Sequence, residues 1–349
     1  MNSTENVIVE HSILRRNASV QRAPWRTVTA LAAAVIDNPM TQDSLNRRNR
    51  FEAARSTGKR ICLTERDLLI FSALERHGVL PATYLYEFGK SAAGNLKGHQ
   101  QRMTDLYHED NTAYGGKYLN RPHQQWASPH ARYQPISYDL SAHGVKALRD
   151  NGIPSQSLVQ PSGAFMHRAM TACITASIDL ACQSANLRFI AQGEILRRAN
   201  LGITKNPLAI PTRPGTIIPD QLFGIDYGGA YRFFAMEADR STESLASQKH
   251  QARSFETKLL AYADILEQET FKSAWGIPLL YIVIVTTSER HMEYMLRMVE
   301  RITNPKIASR FLFKSEPIFG KYWIVPPVLT RMTAVPWHRA GEAFGMLAR

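Results

Sequence analysis

Apolar residues begin to recur at helical spacing just after Thr64, with Leu68, Leu69, Phe71, Leu74 and His77 along one stripe. Thr64 suits an N-cap, Glu65 and Asp67 suit the positive end of a helix dipole, and Gly78 ends the segment. Pro81 can open a second helix, PATYLYEF, with Leu85 and Phe88 turned inward. A third amphipathic segment, LKGHQQRMTDLYHEDN, has Leu96, Met103 and Leu106 as its expected buried side. Short extended pieces follow at 118–119 and 132–138, and a capped helix is expected from near residue 139 to 152.

Three helices and a hairpin in this order predict a winged helix-turn-helix over 61–155. In that arrangement the third helix fits the major groove, the second crosses the backbone, and the wing reaches flanking phosphate or minor groove. The candidate contacts are Lys97, His99, Gln100, Gln101 and Arg102 on the third helix, with Lys117, Arg121, His123, Gln124 and Gln125 in the wing loop. The same fold also serves as a protein-interaction adaptor. The balance of ten basic against nine acidic residues in 61–155 keeps that alternative open.

After a Gly/Pro/Ser-rich connector at 151–163, the pattern changes. A long helix, FMHRAMTACITASIDLACQSAN, carries Met166, Met170, Ile174, Ile178 and Ala181 on one face, and the short helix QGEILRRAN follows. Then come an extended run IIPDQLFGIDY, a Gly-Gly turn, the strand AYRFFAMEADR, and the helix SFETKLLAYADILEQ. The β-branched run IPLLYIVIV predicts a strand buried on both faces near the centre of a sheet. Leu280, Ile282 and Ile284 should line one face of it, with Leu279, Tyr281 and Val283 on the other. A helix capped at Ser288, a strand near 310–313 and an extended piece KYWIVPPVL complete the pattern. The fold class is therefore α/β (α+β overall). The expected division is a flexible basic arm at 1–60, the winged helix at 61–155, an α/β domain at 160–330 and a tail at 331–349.

Composition adds a formal net charge of +12 over 349 residues, which favours polyanionic partners without choosing among DNA, RNA and lipid. The arm holds ten Lys/Arg against five Asp/Glu, so it could either grip phosphate or solubilise the chain. Three scattered cysteines, Cys62, Cys173 and Cys182, do not suggest a zinc site or disulfide scaffold. No secretory leader is recognisable, and IPLLYIVIV is far too short to span a bilayer, so a soluble, cytoplasmic protein is expected. There is no GxxxxGK[ST] motif for a P-loop nucleotide site.

The chemistry concentrates around five charges of the second half. Asp220 follows Pro219 before a strand, while Glu237 and Asp239 are two apart and so share a strand face. Lys258 sits on the next helix beside Phe255, Leu259 and Tyr262, and Glu194 lies on the earlier short helix. Buried charges at a strand end need a metal, a basic partner or water. Carboxylates that hold Mg²⁺, with a lysine facing phosphate, are the equipment of phosphodiester hydrolysis. A structural network of Glu237 and Asp239 with Arg240, Lys258 or Arg232 accounts for the same residues. His167 and His291 read as core-edge or surface histidines, and His99, His108, His123, His130 and His143 form no compact metal spacing.

Three stretches resemble the replication-relaxation family, found with plasmids and mobile elements. They are LTERDLLIFSALERHGVL (63–80), SYDLSAHGVKAL (137–148) and PD...FFAMEADRSTES...KLLAY (219–262), within a resemblance covering roughly 60–325. It implies a winged helix followed by a nuclease-like domain of the PD-(D/E)XK type, a restriction-endonuclease-like α/β fold. Asp220 then matches the first motif carboxylate, Glu237 the second, and Glu194 a helix-borne acid of that fold. Asp220, Glu237 and Asp239 become the metal-ligand candidates, with Asp220, Glu237, Lys258 and Glu194 as the catalytic set. The lysine position two residues after Glu237 holds Asp239, so either Lys258 substitutes from the helix or the site is degenerate. The resemblance implies a DNA-binding accessory or regulator of replication or transfer, or a Mg²⁺-dependent endonuclease. Its expected partners are double-stranded DNA, replication or conjugation proteins and a second copy in a homodimer.

Overall fold

The computed structural model describes residues 53–90, 95–109, 116–127, 131–155, 164–199, 206–240 and 248–348, without the side chains of 248–254. Most of the basic arm expected at 1–60 lies outside the described residues.

The front lobe begins with α1 (Glu65–His77), whose cap is reciprocal: Thr64 accepts from the Asp67 backbone and Asp67 accepts from Thr64 N. Gly78 closes it at φ 88°, a conformation that L side chains rarely adopt. Next come β1 (Leu80–Pro81), α2 (Ala82–Gly89), α3 (Leu96–His108), β2 (Leu119–Asn120) and β3 (Ser137–Leu140). The three strands form a small antiparallel sheet in the order β1-β3-β2. This is the winged-helix order. The following helix, α4 (Ala142–Asp150), is capped by Ser141, because β3 continues through the residue 139 expected to start it.

The second half is built on α5 (Phe165–Ser184), followed by β4 (Arg188–Ile190) and α6 (Gln192–Arg198). A two-stranded ribbon, β5 (Ile210–Pro211) with β6 (Thr216–Ile217), precedes the hairpin of β7 (Gln221–Asp226) and β8 (Tyr231–Asp239). Gly228 and Gly229 turn that hairpin with φ 82° and 98°, and Asp226 accepts from both their N–H groups. Then follow α7 (Gln248–Gln268), α8 (Thr270–Trp275), β9 (Leu280–Thr286), α9 (Glu289–Ile302), α10 (Pro305–Ala308), β10 (Phe311–Ser315) and α11 (Arg331–Ala334).

The sheet order is β10-β9-β8-β7-β4, parallel among the first three strands and antiparallel beyond. β9 is interior, flanked by β10 and β8, while β8 takes the middle. Its faces divide as the alternation predicts: Leu280, Ile282 and Ile284 join the core with α7 and α9, and Val283 and Val285 join the core with α5. On the α5 side, Phe189, Phe223, Phe234 and Tyr281 stack across four adjacent strands at 5.4, 4.9 and 5.7 Å between centroids.

Four expectations are corrected. The stripe on α5 is too narrow: residues 171–179 are buried on every side, because the helix lies between the sheet and the front lobe. One hydrophobic cluster therefore runs from Ile61 through α5 to Met346, and residues 53–349 form a single compact unit. The segment expected as a tail is part of that core, with Trp337 fully buried and bridged to Phe344. The piece KYWIVPPVL joins no sheet; it crosses the front lobe, where Tyr84 OH donates to Pro327 O at 2.7 Å.

A buried polar chain also ties the halves together. His77 at the end of α1 bonds Thr175 and Asp179 of α5, each at 3.0 Å. Thr175 donates to Gln221 on β7, and Gln221 donates back to Arg76 O. The residue beside Asp220 is thus anchored to the helix-turn-helix.

Candidate functional site

Two places hold the candidate residues. On α3, the helix period turns Lys97, Gly98, Gln100 and Gln101 outward, and with Asn95 and Thr104 they line one shallow concavity. Asn95 caps the helix by accepting from Gly98 N at 2.7 Å. Met103 and Leu106 anchor the opposite side, but Leu96 is half exposed, one turn before the core begins.

Other α3 candidates are occupied by the fold. His99 is fully buried and bonds Ala82 O at 2.9 Å; burial lowers its pKa to about 4, so it stays neutral. Arg102 forks onto the buried Asp67 at 2.9 and 2.5 Å and also donates to Cys62 O. Gln101 donates to Asp105 at 2.9 Å. In the wing, Arg121 lies over Tyr107 at 4.0 Å and Tyr138 at 5.4 Å, and Lys117 lies over Tyr107 at 5.1 Å. Gln125 is buried, holding both the N–H and the carbonyl of Ser137. The described end of the expected flexible arm, 53–60, is also tied down. Ser56, Thr57 and Lys59 donate to Glu109, and Lys59 pairs with Asp105.

The second place is the edge where β7 meets β8. Asp220 extends the strand pairing by one position: its N–H donates to Met236 O at 3.0 Å, and its carboxylate accepts from Ala238 N at 2.8 Å. That register sets it opposite Glu237. His167, in the first turn of α5, pairs its Nε2 with the other Asp220 oxygen at 2.9 Å. The bond to Asp220 raises the His167 pKa against the opposing effect of burial.

Glu237 is buried, and its two oxygens accept from Lys258 and Tyr262, one turn apart on α7. Burial first, and the nearby Asp220 charge second, push the Glu237 carboxyl up to about 7 despite those donors. Burial opposes the Lys258 charge, but Glu237 and Asp220 together hold its pKa above the ordinary lysine value. Asp239 shares the Glu237 side of β8, as the two-residue period predicts, and meets His291 of α9 at 2.8 Å.

A family model described as replication-relaxation matches residues 71–279. The chain belongs to the replication-relaxation family. Its architecture is accordingly a winged helix-turn-helix followed by a nuclease-like, restriction-endonuclease-like α/β domain. No curated protein and no solved structure matches the chain. Among the described residues, no helix is long and apolar enough to cross a membrane.

For this family member the nuclease-like fold implies a divalent cation at Asp220 and Glu237. The donors present do not fit one as they stand. Both Glu237 oxygens and both Asp220 oxygens already accept from protein N–H or O–H groups. Among the described residues no three His, Cys, Asp or Glu side chains converge to hold a metal ion, so Asp239 does not complete a set with Asp220 and Glu237. Glu194 is not in the cluster either. It pairs with Arg188 and Arg198, and Arg188 also reaches Asp226 at the far end of β7.

Sequence reasoning grouped Asp220, Glu237 and Lys258, which lie close together in the structure, but missed three partners. Tyr262 was within reach, since it lies four residues after Lys258 on one helix and shares its face. His167 and His291, read as bland helix histidines, pair with Asp220 and Asp239 across long sequence separations. No local pattern signals either contact.

Proposed function

We propose that the chain is a DNA-binding accessory or regulatory factor of plasmid or mobile-element replication or transfer. In this reading α3 addresses duplex DNA, and the nuclease-like domain serves as a scaffold whose carboxylates are sealed by the protein's own donors. The observation that carries it is the outward pair Lys97 and Gln100 on the third helix of a winged helix. Those side chains suit phosphate and base edges, and the helix is held rigidly from behind by Met103 and Leu106.

The test is a salt titration of duplex binding by the wild type and by Lys97→Ala with Gln100→Ala. Weaker binding with a shallower salt dependence supports the reading, and equal curves reject it. A parallel cleavage assay with Mg²⁺ or Mn²⁺ covers the rival endonuclease, which the convergence of Asp220, Glu237 and Lys258 favours. Metal-dependent cleavage lost in Asp220→Ala and in Glu237→Ala replaces the scaffold reading with that enzyme.

A further inference from the structure

Two segments far apart in sequence build one face beside the wing. Gln134 follows the turn at Ala131–Tyr133 and clasps the crossing chain: its Nε2 donates to Trp323 O at 3.2 Å and its Oε1 accepts from Val325 N at 2.5 Å. Trp323 is buried against Phe165, so Tyr322 and Ile324 on either side of it turn out, 49% and 44% exposed. Tyr133, next to the clasp, is 83% exposed. An aromatic side chain that open gains nothing from the core, yet the residue after it is held by both ends of its amide.

Both segments lack acidic residues. Of the chain's 30 Asp and Glu residues, none falls within 111–138 or within 317–341. Arg132 is exposed beside Tyr133, and Lys321 sits over the Tyr322 ring at 5.3 Å. Just upstream, Arg240 fixes the crossing chain by donating to Gly320 O at 2.7 Å. Protein interfaces share the enrichment in Tyr and Arg but are depleted in Lys, which Lys321 supplies here. Separated rings interleaved with cations, without carboxylates, match a polyanion with flat bases instead.

We propose that this face binds an unpaired nucleic-acid strand, with bases stacked on Tyr133 and Tyr322 and phosphates near Arg132 and Lys321. Duplex contact by α3 is a separate matter, and the platform does not depend on it.

The test is fluorescence anisotropy of the full chain with a labelled oligothymidylate of about 15 nucleotides, within the usual span of such sites. Tyr133→Ala and Tyr322→Ala should each weaken binding about tenfold, the loss of one stacked base. Tyr133→Phe keeps the ring and should bind as the wild type does. Duplex affinity, measured on the same proteins, should not move. Failure of the wild type to bind oligothymidylate, or alanine variants that bind it unchanged, overturns the platform whatever the duplex result. Equal losses for duplex and single strand overturn it too, since they mark a general polyanion surface.

Discussion

The third helix of the front lobe and the strand edge of the nuclease-like domain hold the same kind of residue and treat it in opposite ways. Along α3 the polar groups nearest the core are consumed: Arg102 is committed to Asp67 and His99 to a backbone carbonyl, while Lys97 and Gln100 stay open. At the β7–β8 edge every candidate carboxylate is consumed, by His167, Lys258, Tyr262 or His291. Residue type alone therefore does not mark a functional group. A side chain acts on a ligand when the fold has left its valences unspent, and by that measure the helix outranks the strand edge.

The largest test of that contrast is Arg102→Ala. Asp67 is fully buried, so removing its cation should cost about 3 kcal/mol, the low end for breaking a buried pair, because the Thr64 cap still shares the carboxylate. Thermal and urea unfolding measure it directly. A loss below about 0.5 kcal/mol, ordinary for surface positions, would return Arg102 to solvent and to the list of DNA contacts.

His99 gives the next effect, and it depends on pH. An unfolded histidine titrates near 6.5, whereas burial lowers the folded value to about 4. The unfolded chain thus binds the extra proton between those values, so this contribution to stability is full above pH 6.5 and declines as pH falls toward 4. By pH 5 the loss from this residue should reach about 2 kcal/mol. His99→Gln keeps a donor for Ala82 and removes the titration, so the stability gap between variant and wild type should shift in the variant's favour from pH 7 to pH 5. A constant gap would show that His99 is solvated, and the helix would then offer it to DNA after all.

The strand edge is probed by metal. A ligand at a hundred times its Kd stabilises by about 2.7 kcal/mol, several degrees in melting temperature. With the carboxylates already paired, millimolar Mn²⁺ should shift the wild-type melting temperature by less than about 1 °C. A shift of several degrees that vanishes in Asp220→Ala would mean that Lys258 and His167 yield readily, and the two regions would no longer differ in kind.

How much of this was legible beforehand follows from the range of the interactions. The caps at Thr64 and Ser288, the glycine hairpin and the two faces of β9 are local or strictly periodic, and the chain declares them. The grouping of Asp220, Glu237 and Lys258 came from charges placed at strand ends and on the next helix, with the family resemblance adding the motif match, and the structure brings those three side chains together. The partners that decide what the charges can do were hidden. Asp67 and Arg102 are 35 residues apart, and His291 and Asp239 are 52 apart, so neither pairing leaves a pattern in a single sequence. The same holds for the C-terminal segment, whose composition reads as a tail until Trp337 finds the core.

The smallest expected effect separates the two open residues of α3 from each other. Neither Lys97→Ala nor Gln100→Ala should change stability by more than about 0.5 kcal/mol, since both side chains project into solvent. Their effects on duplex binding should differ in kind. A lysine that neutralises one phosphate releases condensed counterion, so Lys97→Ala should reduce the slope of log K against log salt by about 0.9. Gln100 carries no charge and releases none, so Gln100→Ala should lower affinity for a preferred sequence while leaving the slope alone. Parallel salt titrations of the two variants therefore read out phosphate contact and base contact separately. If neither variant changed anything, α3 would be an exposed helix of the winged fold with no duplex in its path, and the front lobe would be left to the adaptor role that its near-neutral charge permits.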